Sequence, residues 1–320
     1  MLKLFKQNMI GQLAVILAAM VVIWGRNFIA PVAIPELLGF SPIYNVLYGW
    51  LAELPRLATA IALLLMIAEG LIFNEMIYRH AMISQNTLLP MLIYVLLMSQ
   101  GEWSHTLTPV LLVNMMLLIA ASQMMQTGQP MISVGNLSSA ALCVGISSMI
   151  YLPCIVLLLP LMMLMPTFKM YRWNDWMGLM LGIIGPYLVL TMVLMLQNNV
   201  GGCYATIADT VKNQRFIIGG SWLQYVFGAA MLIFSILVVW KVMVGADSRI
   251  TAYKNNMKVV GYPMIGGVVC MALNPILPLQ IQWVAVGVTL AASLYLWEAK
   301  KKLWAYELML WGLILITIFV

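Results

Sequence analysis

Charged residues are scarce in this chain of 320 residues. Asp, Glu, Lys and Arg make up 8% of it, whereas a soluble domain carries roughly 25%. Hydrophobic residues make up 63%. This composition leaves too little polar surface to cover a soluble core, so we do not expect a soluble globular domain. Lipid must be the solvent for most side chains, which predicts an all-α, polytopic bundle of transmembrane helices.

Histidine and cysteine are also scarce, with two and four copies, and the sequence contains no CxxC pair and no HExxH motif. A Gly-rich nucleotide loop and a nucleophile elbow are absent as well. We therefore expect no metal centre and no cofactor. The net charge of +6 comes from basic residues that stand singly or in small groups between apolar runs. These residues are expected to set membrane orientation and not to bind nucleic acid.

Long apolar segments are what the sequence has in abundance, and a membrane-spanning helix needs about 20 such residues. Eleven candidate segments are present: 9–25, 56–78, 84–100, 106–125, 131–149, 150–167, 176–197, 221–242, 258–276, 279–297 and 302–320. The sequence thus predicts a single integral membrane domain over residues 1–320. Prolines interrupt 131–167 and 258–276, and it stays open whether these stretches fully span or re-enter.

The distribution of Lys and Arg decides how the stretch 131–167 is best interpreted. If it crosses twice and the N-terminus is cytoplasmic, twelve Lys and Arg residues lie inside and four outside. A single crossing reverses everything after it and leaves five inside against eleven outside. Because cytoplasmic loops are enriched in Lys and Arg, we expect two crossings. The protein is then a multi-pass inner-membrane protein of a bacterium, with its N-terminus cytoplasmic and its C-terminus periplasmic.

The first outer loop contains a predicted amphipathic interfacial helix. Ser41 and Pro42 are typical of a helix start. An apolar stripe follows at helical spacing: Ile43, Val46, Leu47, Trp50, Leu51 and Leu54. One hypothesis makes this helix a packing lid over the bundle. The other makes it a wall of an outward-facing cleft, with Glu36 or Glu53 as a catalytic acid or base.

Polar residues inside predicted spans are candidates for function. They are Glu69, Asn74, Glu75 and Asn114. Glu69 lies near the middle of span 56–78, where a carboxylate costs about 2.5–3.5 kcal/mol to insert. It either carries protons or ligands or hydrogen-bonds another helix, with Asn114 and Gln123 as possible partners. Tryptophan and tyrosine near span ends, such as Trp24 and Tyr151, are expected to anchor the chain at the membrane interface.

A loop rich in arginine and tryptophan precedes a span that contains Gly-x-x-x-Pro-Tyr. The residues of this motif are Arg172, Trp173, Trp176, Gly182, Pro186 and Tyr187. In these residues the chain resembles an uncharacterised family of polytopic inner-membrane proteins from Bacteroidetes-type bacteria. The resemblance implies a multi-pass fold in the inner membrane and no particular chemistry.

The order of the first elements is also similar to the membrane architecture of lipid-linked sugar transferases, called GT-C. That weaker resemblance implies a catalytic acid near the helix of the first outer loop, at Glu36 or Glu53. Three functions stay open, and so does whether the chain is an enzyme. They are a scaffold or partner subunit in cell-envelope biogenesis, a GT-C-like transferase at the outer face, and a transporter or flippase that uses Glu69. The expected partners are the lipid bilayer and either a lipid-linked substrate or another membrane protein.

Overall fold

The computed structural model describes residues 9–36, 40–80, 82–83, 87–100, 104–125, 134–196, 200–213, 251–273 and 281–297, and the single residues Ile233, Trp311, Gly312 and Ile314. Its α-helices are α1 (Met9–Ile29), α2 (Pro42–Leu51), α3 (Pro55–Arg79), α4 (Leu89–Met98), α5 (Pro109–Met125), α6 (Val134–Ile150), α7 (Leu158–Thr167), α8 (Trp173–Leu196), α9 (Val200–Asn213), α10 (Thr251–Gly261), α11 (Pro263–Ala272) and α12 (Ala285–Trp297). Short 3₁₀ helices cover Leu152–Leu157 and Ile281–Val284. Over these ranges the protein is all-helical without a strand, which confirms the predicted class. Apart from the single residues, the predicted spans 221–242 and 302–320 lie outside the described residues.

Two helices of the described chain, α3 with 25 residues and α8 with 24, are long and apolar enough to cross a membrane. At 1.5 Å per residue they extend about 36–38 Å, against about 30 Å of hydrocarbon. Helix α1 has 21 residues with an apolar stretch at Ile10–Gly25, and the other apolar helical stretches contain 10–17 residues. Their full crossing of a membrane stays a prediction.

Helices α6 and α8 lie side by side and run in the same direction. The Ser138 hydroxyl, near the start of α6, donates to the carbonyl of Gly178 near the start of α8 (2.8 Å). At the other end the hydroxyls of Ser148 and Tyr187 lie 2.7 Å apart. The chain between two parallel helices must return, and it does so through the 3₁₀ helix and α7, after an extended residue at Tyr151. The chain therefore turns back within 131–167, whereas the two membrane crossings expected there stay a prediction.

Helix α4 is the core of the bundle, because all ten of its residues are buried. The backbone N–H of Leu88, just before α4, donates to Oε1 of Gln12 near the start of α1 (2.7 Å). Ser99, just after α4, accepts a hydrogen bond from Trp24 near the end of α1 (3.0 Å). Helices α1 and α4 are therefore parallel. At about 15 Å, α4 is shorter than the predicted span 84–100.

The described part of the predicted span 258–276 is helical from Lys258 to Ala272 with one interruption at Tyr262, where α10 ends and α11 begins. Helix α11 packs antiparallel to the segment that leads into α12. Gly267 lies against the backbone of Trp283, and Gly287 lies against Met264. Glycine is required at these positions because a Cβ atom would overlap the neighbouring chain. This hairpin brings residues 281–284 to the end of α4.

Helix α2 begins at Pro42 as predicted. Tyr44, which lies off the apolar stripe, is completely buried. Its hydroxyl donates to the backbone carbonyls of Pro35 (2.8 Å) and Leu107 (3.2 Å), which explains why a tyrosine is stable there. Trp50, a member of the apolar stripe, is 80% exposed. The helix is held on the bundle by a buried polar contact, and its outer apolar side chains suit a lipid-facing surface.

Candidate ligand-binding site

Buried polar side chains converge where α4 ends. They belong to five parts of the chain: α1, the residues after α4, the loop that precedes α5, α5 itself and the second 3₁₀ helix. We call this set the polar cluster, and its members are Trp24, Ser99, Gln100, His105, Thr106, Asn114, Gln282 and Trp283. Apart from the partly buried His105, each is at most 4% exposed. So many polar side chains are rarely buried together without a role, because each must replace its bonds to water.

Direct hydrogen bonds connect Gln282, in the second 3₁₀ helix, to the end of α4 and to α5. The last carbonyls of a helix lack partners within the helix. Here Nε2 of Gln282 donates to the carbonyl of Met98, the last residue of α4 (2.7 Å). Nδ2 of Asn114 in turn donates to the backbone carbonyl of Gln282 (2.7 Å). The cluster therefore closes the C-terminal end of the central helix and fixes α5 and residues 281–284 against it.

Trp24 and His105 form the other side of the cluster. The indole Nε1 of Trp24 donates to the Ser99 hydroxyl. The rings of Trp24 and His105 pack edge to face, with 5.0 Å between their centres. The hydroxyl of Ser104 lies 2.9 Å from Nδ1 of His105. Burial lowers the pKa of His105 from 6.5 to about 4, so its ring is neutral at neutral pH. The described residues of the cluster thus carry no charge.

Several polar atoms of the cluster have no hydrogen-bonding partner among the described residues. They are Oε1 and Nε2 of Gln100, Nε2 of His105, Oγ1 of Thr106, Oδ1 of Asn114, Oε1 of Gln282 and Nε1 of Trp283. A buried polar group without a partner costs about 1–3 kcal/mol. Since the atoms lie on connected segments, a molecule bound between those segments would satisfy several of them together. This incompleteness marks the cluster as a candidate binding site.

The chemistry available in the cluster favours binding over catalysis. Amides, hydroxyls and an indole donate or accept hydrogen bonds but do not exchange protons near neutral pH. His105 is the single described member that titrates in a useful range, and its lowered pKa makes it a weak base. Among the described residues no group of three or more His, Cys, Asp or Glu side chains is arranged to hold a metal ion.

Glu69 lies outside the cluster and has a structural partner. Its Oε2 atom accepts a hydrogen bond from the hydroxyl of Tyr94 (2.8 Å), and both side chains are completely buried. The ring of Phe73 lies 5.7 Å from that of Tyr94. The predicted partners Asn114 and Gln123 are wrong, because the Asn114 amide binds Gln282 and Tyr94 reaches the carboxyl group first in the packed bundle. The pair connects α3 to α4.

The other acidic and polar residues singled out from the sequence differ from Glu69 in burial and in hydrogen bonding. Glu75 is exposed and forms an ion pair with Arg79, one helical turn away (3.2 Å), and its position within the membrane stays a prediction. Asn74 is buried, and its Oδ1 atom has no partner among the described residues. Glu36 and Glu53 are both exposed. Their assignment as catalytic residues stays a prediction.

The residues of the arginine-tryptophan motif contribute to the contact between α6 and α8. A Cβ atom on Gly182 would lie 2.5 Å from the carbonyl oxygen of Ser138 and 2.6 Å from Cβ of Ala141, so glycine is needed for this close approach. The ring of Pro186 lies against Gly145, and Tyr187 contacts Ser148.

The remaining motif residues surround the start of α8. The backbone N–H of Arg172 donates to Oδ2 of Asp175 (2.9 Å), which satisfies a polar group at the helix terminus. Trp173 and Trp176 are exposed, as predicted for residues at a membrane interface. The motif therefore has a packing role in this structure.

Sequence reasoning missed most of the cluster. Trp24 and Tyr151, expected to anchor the membrane interface, are buried, because the indole and hydroxyl groups find partners inside the bundle. Asn114 was singled out, but Gln100 and Gln282 were not. Their signal was weak: each is a single amide at the edge of an apolar run.

Comparisons of the chain with protein-family models, with curated proteins and with solved structures find no match. Over the described residues the fold therefore defines only a class, all-helical with two helices long and apolar enough to cross a membrane. The resemblance to an uncharacterised inner-membrane family stays a prediction.

Proposed function

We propose that the chain is a multi-pass inner-membrane protein of the bacterial cell envelope that binds a polar ligand, or the polar part of a lipid, at the polar cluster. The observation that carries this proposal is Gln100. Its side chain is 4% exposed, yet neither end of its amide has a partner among the described residues. A bound ligand supplies the missing hydrogen bonds and offsets the cost of burying the amide.

The distribution of Lys and Arg indicates on which side of the membrane the polar cluster lies. With the N-terminus cytoplasmic, α1 runs outward and ends at the outer face. Trp24, near that end of α1, bonds to Ser99 in the cluster. The cluster then lies toward the periplasmic face, beneath α2, whose Tyr44 contacts Leu107 in the adjoining loop. This placement suits a ligand that arrives from the periplasm or from the outer leaflet of the membrane.

Ligand binding is compatible with a partner subunit for envelope assembly, the leading functional hypothesis. It also fits a transferase at the outer face, and one contact favours Glu36 over Glu53 in that role. The Tyr44 hydroxyl bridges the carbonyls of Pro35 and Leu107. Glu36 therefore follows directly on Pro35, which is linked through the Tyr44 hydroxyl to the loop of the cluster.

Native mass spectrometry tests the binding proposal. Wild-type protein, extracted gently from its own membrane, is expected to retain a bound small molecule of defined mass. Gln100→Leu is expected to lose that molecule, because the substitution removes both unpartnered amide atoms while keeping the volume similar. Tyr187→Phe, outside the cluster, serves as the control and should retain it. Wild type without any adduct, or an adduct equally retained by Gln100→Leu, contradicts the proposal.

The transferase candidate has its own matched pair of variants. Glu36→Gln is expected to abolish assembly of the envelope glycan, whereas Glu53→Gln, on the same exposed loop region, should leave it normal. Normal glycan in both variants excludes a catalytic carboxylate at either position.

A further inference from the structure

We infer that the ligand of the polar cluster is an uncharged group that both donates and accepts hydrogen bonds, such as a hydroxyl-rich or amide-bearing headgroup. The inference rests on the proposed function and deepens it by naming the chemical class of the ligand. It is argued from the kinds of unpartnered atoms that the cluster presents.

The unpartnered atoms include both acceptors and donors. Oε1 of Gln100, Oδ1 of Asn114 and Oε1 of Gln282 are amide oxygens, which only accept. Nε2 of Gln100 and Nε1 of Trp283 only donate, and the hydroxyl of Thr106 does either. A ligand that completes the cluster must therefore offer donors to three oxygens and acceptors to two nitrogens, and Nε2 of His105 takes either role according to its tautomer.

A charged ligand satisfies one half of this set and leaves the other half unpaired. A carboxylate or a phosphodiester anion only accepts, so the three amide oxygens would face it without a donor. A quaternary or primary ammonium has no acceptor for the nitrogens of Gln100 and Trp283. Neither ion would find an opposite charge among the described residues of the cluster, which are neutral. A buried ion without a countercharge is strongly disfavoured.

The supporting residues fix the direction of two of the acceptor oxygens. Nε2 of Gln282 donates to the carbonyl of Met98, and Nδ2 of Asn114 donates to the carbonyl of Gln282. Those bonds orient Oε1 of Gln282 and Oδ1 of Asn114 as acceptors. Both oxygens are completely buried, so a ligand reaches them only when neighbouring side chains move aside.

Four probes with the same hexyl chain test the inference on full-length protein in a detergent that carries neither hydroxyl nor amide groups. Hexyl glucoside and N-hexylacetamide are neutral donors and acceptors, hexyl sulfate is an anion, and hexylammonium is a cation. Calorimetric titration is expected to show that at least one neutral probe binds wild type tenfold or more tightly than either ion. Gln100→Leu and Thr106→Val should each weaken that binding tenfold or more. Tyr187→Phe should bind like wild type.

The outcomes separate the inference from the proposed function. Tighter binding of the sulfate or the ammonium, lost in Gln100→Leu, overturns the neutral class but supports the site. Failure of both neutral probes to bind overturns the inference even when the native mass spectrum shows an adduct. Failure of every probe, together with a spectrum free of adducts, overturns the proposed function as well. Neutral binding that is unchanged in both variants places the ligand elsewhere and also overturns the inference.

Discussion

The hydroxyl of Tyr94 donates to the carboxyl group of Glu69 across 2.8 Å, and neither side chain is exposed. The bond joins α3, one of the two long apolar helices, to α4, the short helix that is buried on every side. Burying a carboxyl group is costly without partners, and the tyrosine provides a donor to Oε2, while Oε1 has no partner among the described residues. Glu69 is therefore a connection between helices in this structure.

Tyr94→Phe should destabilise the protein by about 1–3 kcal/mol, because it leaves the buried Oε2 atom of Glu69 without its donor. Glu69→Leu should cost a similar amount, since it leaves the tyrosine hydroxyl unpaired. The double variant should lose less than the sum of the two, with a coupling energy of about 0.5–3 kcal/mol. Chemical or thermal unfolding in detergent measures all three. Simple additivity would show that the two groups do not interact.

Gly182→Ala should weaken the contact of α8 with α6, because the new Cβ atom would meet the backbone of Ser138. Overpacking of this kind typically costs about 1–3 kcal/mol. Gly185→Ala, on the same helix, is the matched control, since nothing lies within 4 Å of its Cβ position. We expect a lowered unfolding temperature for the first variant and no loss for the second. Equal effects at the two positions would show that helix propensity alone governs α8.

Stability should fall as the pH decreases from about 6.5 to about 4, the interval across which burial lowers the pKa of His105. Within it the unfolded chain binds a proton that the folded chain excludes, so protonation favours unfolding by up to about 1.4 kcal/mol per pH unit. Burial also lowers the pKa of His80, which acts in the same direction. The contributions of His105 and His80 are separated by measuring the unfolding temperature across this pH range. The measurement compares wild type with His105→Phe and with His80→Gln. A profile that is unchanged in His105→Phe contradicts the assignment.

Reporter fusions check the orientation inferred from the charges. Alkaline phosphatase is active only outside the cytoplasm, and green fluorescent protein folds into its fluorescent form only inside. Fusions after Lys169 should fluoresce and fusions after Asn213 should show phosphatase activity. A fusion after Arg79, which precedes the disputed stretch, should fluoresce whether 131–167 crosses once or twice. Phosphatase activity at Lys169 would mean that the stretch crosses once.

Sequence reasoning succeeded where the signal is local. The apolar runs of α3 and α8 are long enough to be recognised from hydropathy, and Ser41-Pro42 correctly predicts where α2 begins. The chain also turns back within 131–167, in agreement with the balance of Lys and Arg, but the two crossings inferred from that balance stay a prediction. None of these signals depends on how the helices pack. The apolar runs and the helix start are set by residues close together in the chain. The Lys and Arg residues act through loop charge and the membrane potential.

It failed where the answer depends on which apolar face meets protein and which meets lipid. Both environments accept the same side chains, so the pattern of α2 did not reveal that Tyr44 points inward and Trp50 outward. The partner of Glu69 was missed for a similar reason, since Tyr94 lies in an unbroken apolar run. The cluster is still less local: Asn114 and Gln282 meet across 168 positions of sequence. Such contacts depend on how the helices pack and produce no periodic pattern in the sequence.

The unfolding free energy of Gln100→Leu tests most directly whether the polar cluster is an incomplete site. The measurement uses protein that is free of bound ligand, as verified by native mass spectrometry. Because the substitution removes two buried atoms without partners, the variant should be more stable than wild type by about 1–3 kcal/mol. Ser99→Ala is the control and should be less stable, since it breaks the bond from Trp24. A loss of stability in Gln100→Leu that equals the loss in Ser99→Ala would show that Gln100 is already satisfied, and the cluster would then not require a ligand.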